Sequence, residues 1–282
     1  MRVALLQYPI AWADKETNLH LAEERIAALA GKVDVAVLPE MFATGFCTDH
    51  PELAETMDGD IIRRLQATAD QSGVAIVSSF ICKPAIGQRL VNRGFMITPH
   101  SVYPNREELE GNPNLPSLQG GDGGRLFVQD KRHLYAHGGE DLFFQPAQER
   151  HIFEYKGVKI LLLICYDLRF PVWARNRSGH DYDIIIVVAN WPDIRIQYWD
   201  ALIAARTTEN QCYIAAVNCV GDDGMGLHYN GHSVAYDTRL QPIVSFADNE
   251  EGTKIAEFDI AKLHHFREVL PLWNDTDNFT LQ

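Results

Sequence analysis

Cysteine is scarce and scattered in this chain, with Cys47, Cys82, Cys165, Cys212 and Cys219 the five in 282 residues. An odd count at irregular spacing argues against a disulfide framework. No Cys-x-x-Cys pair is present to suggest a structural zinc site. His228 and His232 lie close in sequence, but without a third ligand nearby they form only a weak metal signal, and no metal or other cofactor is expected. Positive charge is in the minority: 25 Lys and Arg face 38 Asp and Glu, a formal net charge of -13. That balance argues against a nucleic-acid partner, which needs a basic face. Long apolar runs are missing too. The N-terminal stretch Val3 to Leu6 is broken by Gln7 and soon followed by Asp14 and Lys15, so it reads as a first strand rather than a signal peptide. No run approaches a membrane span. The expectation is a cytoplasmic chain with no membrane partner.

What is present is enough apolar material for a sizeable core, 46% of the composition. Arg2 to Tyr8, Val33 to Leu38, Val74 to Phe80, Val158 to Ile164 and Asp183 to Val188 are apolar and largely β-branched. Near-continuous apolar strands mark sheets covered on both faces. Between the first two, Leu19, Ala22, Ile26 and Leu29 recur at helical spacing up to Gly31. Ile61, Ile62, Leu65 and Ala69 repeat the pattern up to Gly73, and a further helix is predicted from Gln197 to Glu209. Alternating strands and helices predict an α/β layered fold. Residues 1–282 read as one domain, with 101–124 a loop insertion rich in Asn, Pro and Gly. Residues 270–282 read as a polar C-terminal tail packed on the surface or on a partner subunit.

Three reactive side chains stand just after strand-like runs. Glu40 follows Val-Ala-Val-Leu-Pro, Lys131 follows Arg-Leu-Phe-Val-Gln-Asp, and Cys165 follows Lys-Ile-Leu-Leu-Leu-Ile. Ligands of α/β folds bind beyond strand ends, where loops carry side chains on a rigid frame. Taken singly, each has an ordinary reading: an inert core thiol, a loop carboxylate, a solvated basic turn. Together they fit acyl transfer. A thiol with a free pKa of about 8.5 needs activation at neutral pH. A glutamate can take its proton and later activate a water, and an ammonium can hold the charge that builds on the substrate oxygen. The other four cysteines read as structural. Phe42, Tyr166 and Trp191 read either as walls of a pocket or as core filling.

Leu38-Pro39-Glu40-Met41-Phe42, Asp130-Lys131-Arg132-His133-Leu134 and Ile164-Cys165-Tyr166-Asp167-Leu168-Arg169-Phe170-Pro171 resemble the three signature segments of the nitrilase superfamily of carbon-nitrogen hydrolases. The likeness extends through Val188-Ala189-Asn190-Trp191-Pro192 and Ala204 to Asn210, and covers essentially the whole chain. It implies an α-β-β-α sandwich and a homodimer or higher homo-oligomer joined through helical faces. It also implies a Glu40, Lys131 and Cys165 triad, with Glu140 orienting Lys131 and the substrate amide. The backbone N–H of Tyr166 and the Lys131 ammonium would form the oxyanion hole.

Within the superfamily, Cys165 to Pro171, Ala189 to Pro192 and Gly231-His232-Ser233 resemble bacterial omega-amidases. The implied partner is a small-molecule amide, a 2-oxo dicarboxylic acid monoamide such as 2-oxoglutaramate or 2-oxosuccinamate. Arg169, Arg93 and Arg195 are candidates for its carboxylate. Segments 38–42, 130–134 and 164–171 alone do not separate this branch from carbamoyl-amine amidases or nitrile hydrolases, nor from a silent assembly subunit. The hairpin before the lysine segment is short in the family, so the insertion at 101–124 is expected near the pocket mouth or a dimer surface.

Overall fold

A computed structural model of the chain describes residues 1–85, 87–102, 126–177 and 180–277. The proposed insertion therefore falls almost wholly outside the described residues, as do the last residues of the proposed tail. The first part of the chain runs β1 (Arg2–Gln7), α1 (Lys15–Ala27), β2 (Val35–Val37), α2 (Asp60–Ser72), β3 (Ala75–Cys82), β4 (Val91–Ile97) and β5 (Leu126–Asp130). It continues as α3 (Glu140–Phe143), β6 (Ile152–Tyr155), β7 (Val158–Ile164), α4 (Pro171–Ala174), β8 (Ile184–Val188), α5 (Ile196–Asn210) and β9 (Tyr213–Val217). Then come β10 (Val220–Asp222), β11 (His228–Asn230), β12 (Val234–Tyr236), β13 (Pro242–Ser245), β14 (Gly252–Glu257) and α6 (Ile260–Val269).

Local chemistry sets the helix ends. Asp14 caps α1 by accepting the Thr17 N–H at 3.1 Å, with Glu16 in the first turn where the helix dipole favours an acid. The helix stops at Ala27, earlier than its apolar repeat suggests, and turns carry the chain to Gly31. Gly73 closes α2 in the left-handed region, φ +70°.

Among the described residues the strands form two six-stranded sheets, in the orders β14-β1-β2-β3-β4-β5 and β13-β12-β9-β8-β7-β6, and β10 and β11 pair as a hairpin. The inner pairs β1/β2/β3 and β7/β8/β9 are parallel. Alternation along each strand assigns the faces. Val3 and Leu5 of β1 meet Leu162 and Ile164 of β7 in a core between the sheets. Ala4 and Leu6 turn outward onto Leu19, Ile26, Ile61 and Leu65 of α1 and α2. Leu161 and Leu163 turn the other way, onto Trp173 of α4 and Trp199 and Ile203 of α5. This is the α/β layering that the pattern of the chain predicts, in the α-β-β-α sandwich form that the family resemblance implies.

The sheets approach closely at Gly94 of β4. A Cβ there would lie 2.6 Å from Leu162 Cδ2 and 3.0 Å from Ile164 Cδ1. The side chain immediately before Cys165 is thus seated against bare backbone of the other sheet. Among the described residues, no helix is long and apolar enough to cross a membrane.

Candidate active site

Both sheets deliver reactive groups to one point. From the first, Glu40 arrives on the turn after β2 and Lys131 directly follows β5; from the second, Cys165 directly follows β7. The chain bends sharply at two of these places. Met41 has φ +44° and Cys165 φ +46°, left-handed values that non-glycine residues rarely adopt. Such strain persists where surrounding structure enforces it, and functional turns are a common place to find it. Glu140 enters on the first turn of α3, after Gly139 takes the left-handed conformation at φ +74°.

Lys131 lies between two carboxylates, with Nζ 2.8 Å from Glu40 Oε1 and 3.0 Å from Glu140 Oε2. All three side chains are fully buried. Asn92 Nδ2 donates to Glu40 Oε1 at 2.8 Å and to Glu140 Oε1 at 3.0 Å. Glu40 Oε2 accepts the Asn190 N–H at 2.9 Å, and Glu140 Oε2 accepts the Tyr135 N–H at 2.7 Å. Cys165 Sγ lies 3.8 Å from the Asn190 carbonyl.

The electrostatics follow. Burial disfavours the Lys131 charge, but Glu140 and Glu40 overcome that cost and hold its pKa above the ordinary lysine range. Burial pushes Glu140 up, against the attraction of Lys131. Desolvation first, and the Glu40 charge second, push the Cys165 thiol well above its usual value. The resting thiol is therefore protonated, beside a carboxylate able to receive its proton and an ammonium able to hold a new negative charge.

A third carboxylate fixes the turns. Asp167 Oδ1 accepts the His133 N–H at 2.8 Å and lies 2.9 Å from His133 Nδ1, while Oδ2 accepts the Ile164 N–H at 3.2 Å. Buried Asp167 thus ties the segment after Lys131 to the strand end before Cys165. The Tyr166 N–H lies in the first turn of the short helix Cys165–Arg169, where backbone donors have no internal acceptor.

Cys165 opens into a cavity of about 490 Å³ whose walls include Phe46, Tyr135, Tyr166, Asn190 and Trp191. Arg169 and Arg195 line it as well. The Arg169 guanidinium lies 4.9 Å from the Trp191 ring centre and 5.1 Å from that of Tyr198; Arg195 lies 5.4 Å from that of Tyr135. Among the described residues neither arginine is paired with a carboxylate, so aromatic faces hold two cations free for an anion.

Two other expected contacts lie elsewhere. Phe42 is fully buried on the outer face of the first sheet, in edge contact with Phe95 at 6.3 Å, and does not line the cavity. Arg93 is engaged by Asp130 through contacts of 2.7 and 2.8 Å. Cys47, Cys82, Cys212 and Cys219 are buried, and burial pushes the first three up to about 12. His228 contacts Asp222 and Asn249, and His232 contacts Asp200 and Asp248. Among the described residues, no group of His, Cys, Asp and Glu is arranged to hold a metal ion.

A sequence profile of the carbon-nitrogen hydrolases matches residues 2–268. The chain belongs to the carbon-nitrogen hydrolase family. This carbon-nitrogen hydrolase, an enzyme acting on C–N bonds other than peptide bonds, is 37% identical over 282 residues to omega-amidase YafV of Escherichia coli (strain K12), covering 100% of the chain and 98% of that protein. It is 30% identical over 274 residues to the 2-oxoglutaramate amidase of Bacillus subtilis (strain 168), covering 97% and 96% of the two chains. The crystal structure of a CN-hydrolase superfamily protein from Xanthomonas campestris, with an arsenic adduct in its active site, superposes with a TM-score of 0.87 at 34% identity, over 100% of this chain and 99% of that one.

Asn92, Asn190 and Asp167 also build the site, beyond the residues that the sequence predicts for it. Asn190 and Asp167 lie inside the segments that carry the family likeness, where reactive neighbours draw attention first. Asn92 sits within β4 with no motif around it, and only the folded register brings it to both glutamates.

Proposed function

We propose that the chain hydrolyses the terminal amide of a small 2-oxo dicarboxylic acid monoamide, 2-oxoglutaramate or 2-oxosuccinamate, to ammonia and the 2-oxo dicarboxylate. The observation that carries this reading is the thiol of Cys165 opening into a cavity that also holds Arg169 and Arg195, paired with no carboxylate among the described residues, beside the buried Glu40, Lys131 and Glu140 cluster. The relatives named omega-amidase and 2-oxoglutaramate amidase support the same substrate class.

In this reading Cys165 Sγ attacks the amide carbon while Glu40 takes the thiol proton. Lys131 and the Tyr166 N–H stabilise the oxygen of the tetrahedral adduct. Glu40 gives its proton to the nitrogen, ammonia leaves, and a thioester remains on Cys165. A water then attacks the thioester carbonyl as Glu40 receives its proton; the carboxylic acid departs and sulfur is reprotonated. Glu140 holds Lys131 and receives the substrate NH2. Arg169 and Arg195 bind the distal carboxylate, and Trp191 forms part of the adjoining wall. No cofactor enters the scheme.

The proposed setting is the cytoplasm, in keeping with five free thiols. The proposed assembly is a homodimer or higher homo-oligomer. Val172 on α4 and Tyr198 on α5 are exposed apolar side chains that a second copy would cover. The test is ammonia release from 2-oxoglutaramate and 2-oxosuccinamate by the native protein and by Cys165→Ala. Turnover that disappears on substitution is expected. No turnover of either amide by native protein would remove this substrate class.

A further inference from the structure

Asn92, like Lys131, touches both carboxylates of the cluster. Its single amide nitrogen donates to Glu40 Oε1 at 2.8 Å and to Glu140 Oε1 at 3.0 Å. Its backbone carbonyl accepts the Lys131 N–H at 2.9 Å, extending the β4–β5 ladder one step beyond Asp130. One strand residue therefore fixes the lysine's backbone and one oxygen of each acid. It is fully buried and does not line the cavity. Its role is exerted through the glutamates and not on substrate.

The charge count explains why such a donor matters. Two buried acids face one lysine, so with the thiol neutral the cluster carries a net charge of minus one if both acids are ionised. Buried carboxylates in close contact tend to share a proton unless donors stabilise the second charge. Lys131 reaches one oxygen of each acid, and Asn92 supplies the further donor that both share. Glu40 is faced by Lys131 and Asn92 from the first sheet side, by Glu140 from α3, and by Cys165 and Cys219 from the second sheet side.

We propose that Asn92 is a positioning residue that keeps Glu40 and Glu140 ionised together, so that Glu40 stays available as the base for Cys165. The proposal rests on the roles assigned above to Glu40 and Cys165. Removing the amide donor raises the proton affinity of the acid pair. A proton then occupies the pair at pH values where the native protein holds none, and the base is lost.

The test uses the full chain with Asn92→Leu, which keeps the branching at Cγ and removes the donor, and Asn92→Asp, which keeps the shape and adds a third carboxylate. Cys165→Ala is run beside them. The readouts are thermal melting, the pH dependence of kcat and kcat/KM for 2-oxoglutaramate, and the pH dependence of Cys165 alkylation by iodoacetamide, which needs no amide substrate. Hydrogen bonds to charged groups predict a fall in kcat of about 10- to 100-fold for Asn92→Leu, with KM little changed. The acid limb of both profiles should move up by about one pH unit for Asn92→Leu, and further for Asn92→Asp. Folded variants whose acid limb stays in place would overturn the proposal, even if they lose activity along with melting temperature. If Asn92→Leu does not fold, an Asn92→Asp protein that folds with a native acid limb would overturn it equally. Undiminished turnover by Cys165→Ala would instead remove the mechanism on which the proposal rests.

Discussion

Asn190 holds Glu40 from two sides: its N–H donates to Glu40 Oε2 at 2.9 Å, and its Nδ2 donates to the Glu40 carbonyl at 2.7 Å. The two residues stand after β2 and β8, on different sheets, so this pair fastens one sheet's acid to the other sheet's nucleophile. The Asn190 carbonyl faces Cys165 Sγ and its Oδ1 lies 3.1 Å from Cys219 Sγ, which leaves the amide orientation fixed. Position of the acid relative to the thiol is thus a property of the sheet packing.

Asn190→Ala keeps the backbone donor and removes the side-chain one. It strands the buried Glu40 carbonyl, at a cost of about 1–3 kcal/mol. Urea unfolding should show that loss, and kcat should fall by about tenfold or more as Glu40 drifts from Cys165. An unchanged kcat in a destabilised protein would show that the Asn190 side chain serves the fold alone.

Glu140→Gln separates stability from activity. Burial raises the native pKa of Glu140 above its ordinary 4.5. The native state therefore binds this proton more tightly than the unfolded state does. The resulting stabilisation is full below 4.5 and is lost as pH rises through the raised native value. Glu140→Gln lacks that loss, so its melting temperature relative to native protein should climb across this window and then level off. Its kcat should meanwhile fall by at least about tenfold, because Lys131 loses one of its two anchors. Parallel melting curves across the window would contradict the assignment.

Asp167→Asn tests the tie between the two strand ends. The substitution weakens acceptance from the His133 and Ile164 N–H groups, which a charged oxygen now receives. A loss of about 1.5–3 kcal/mol in unfolding free energy is expected. Substitution of His133 should add little once Asp167 is changed, and a double-mutant cycle measures that coupling.

Arg169→Ala and Arg195→Ala test anion binding. Each should lower kcat/KM for 2-oxoglutaramate by about 10- to 100-fold, as expected when a charge-assisted contact is lost. Hydrolysis of an uncharged primary amide should be nearly unaffected. Equal losses on charged and uncharged amides would assign these arginines to holding the aromatic wall.

The layered fold was legible because the strands are apolar on both faces, and the helices carry apolar residues at helical spacing. Glu40, Lys131 and Cys165 were legible because each ends an apolar run. Phe42 misled for the same reason, standing so near Glu40. The left-handed turn at Met41 redirects the chain there, and Phe42 packs against Phe95 in the outer core. Asn92 carried no local signal. Its partners lie 52 and 48 residues away, and its meaning depends on where β4 falls in the sheet.

The covalent intermediate on Cys165 is the most direct object to look for. Native protein mixed with 2-oxoglutaramate is quenched in acid during turnover, digested, and the peptide containing Cys165 weighed by mass spectrometry. Acyl transfer through Cys165 predicts a peptide heavier by the substrate minus ammonia, modified at Cys165 and absent from Cys165→Ala, which should release no ammonia. Ammonia release by Cys165→Ala at the native rate, with no adduct on the native peptide, would contradict it.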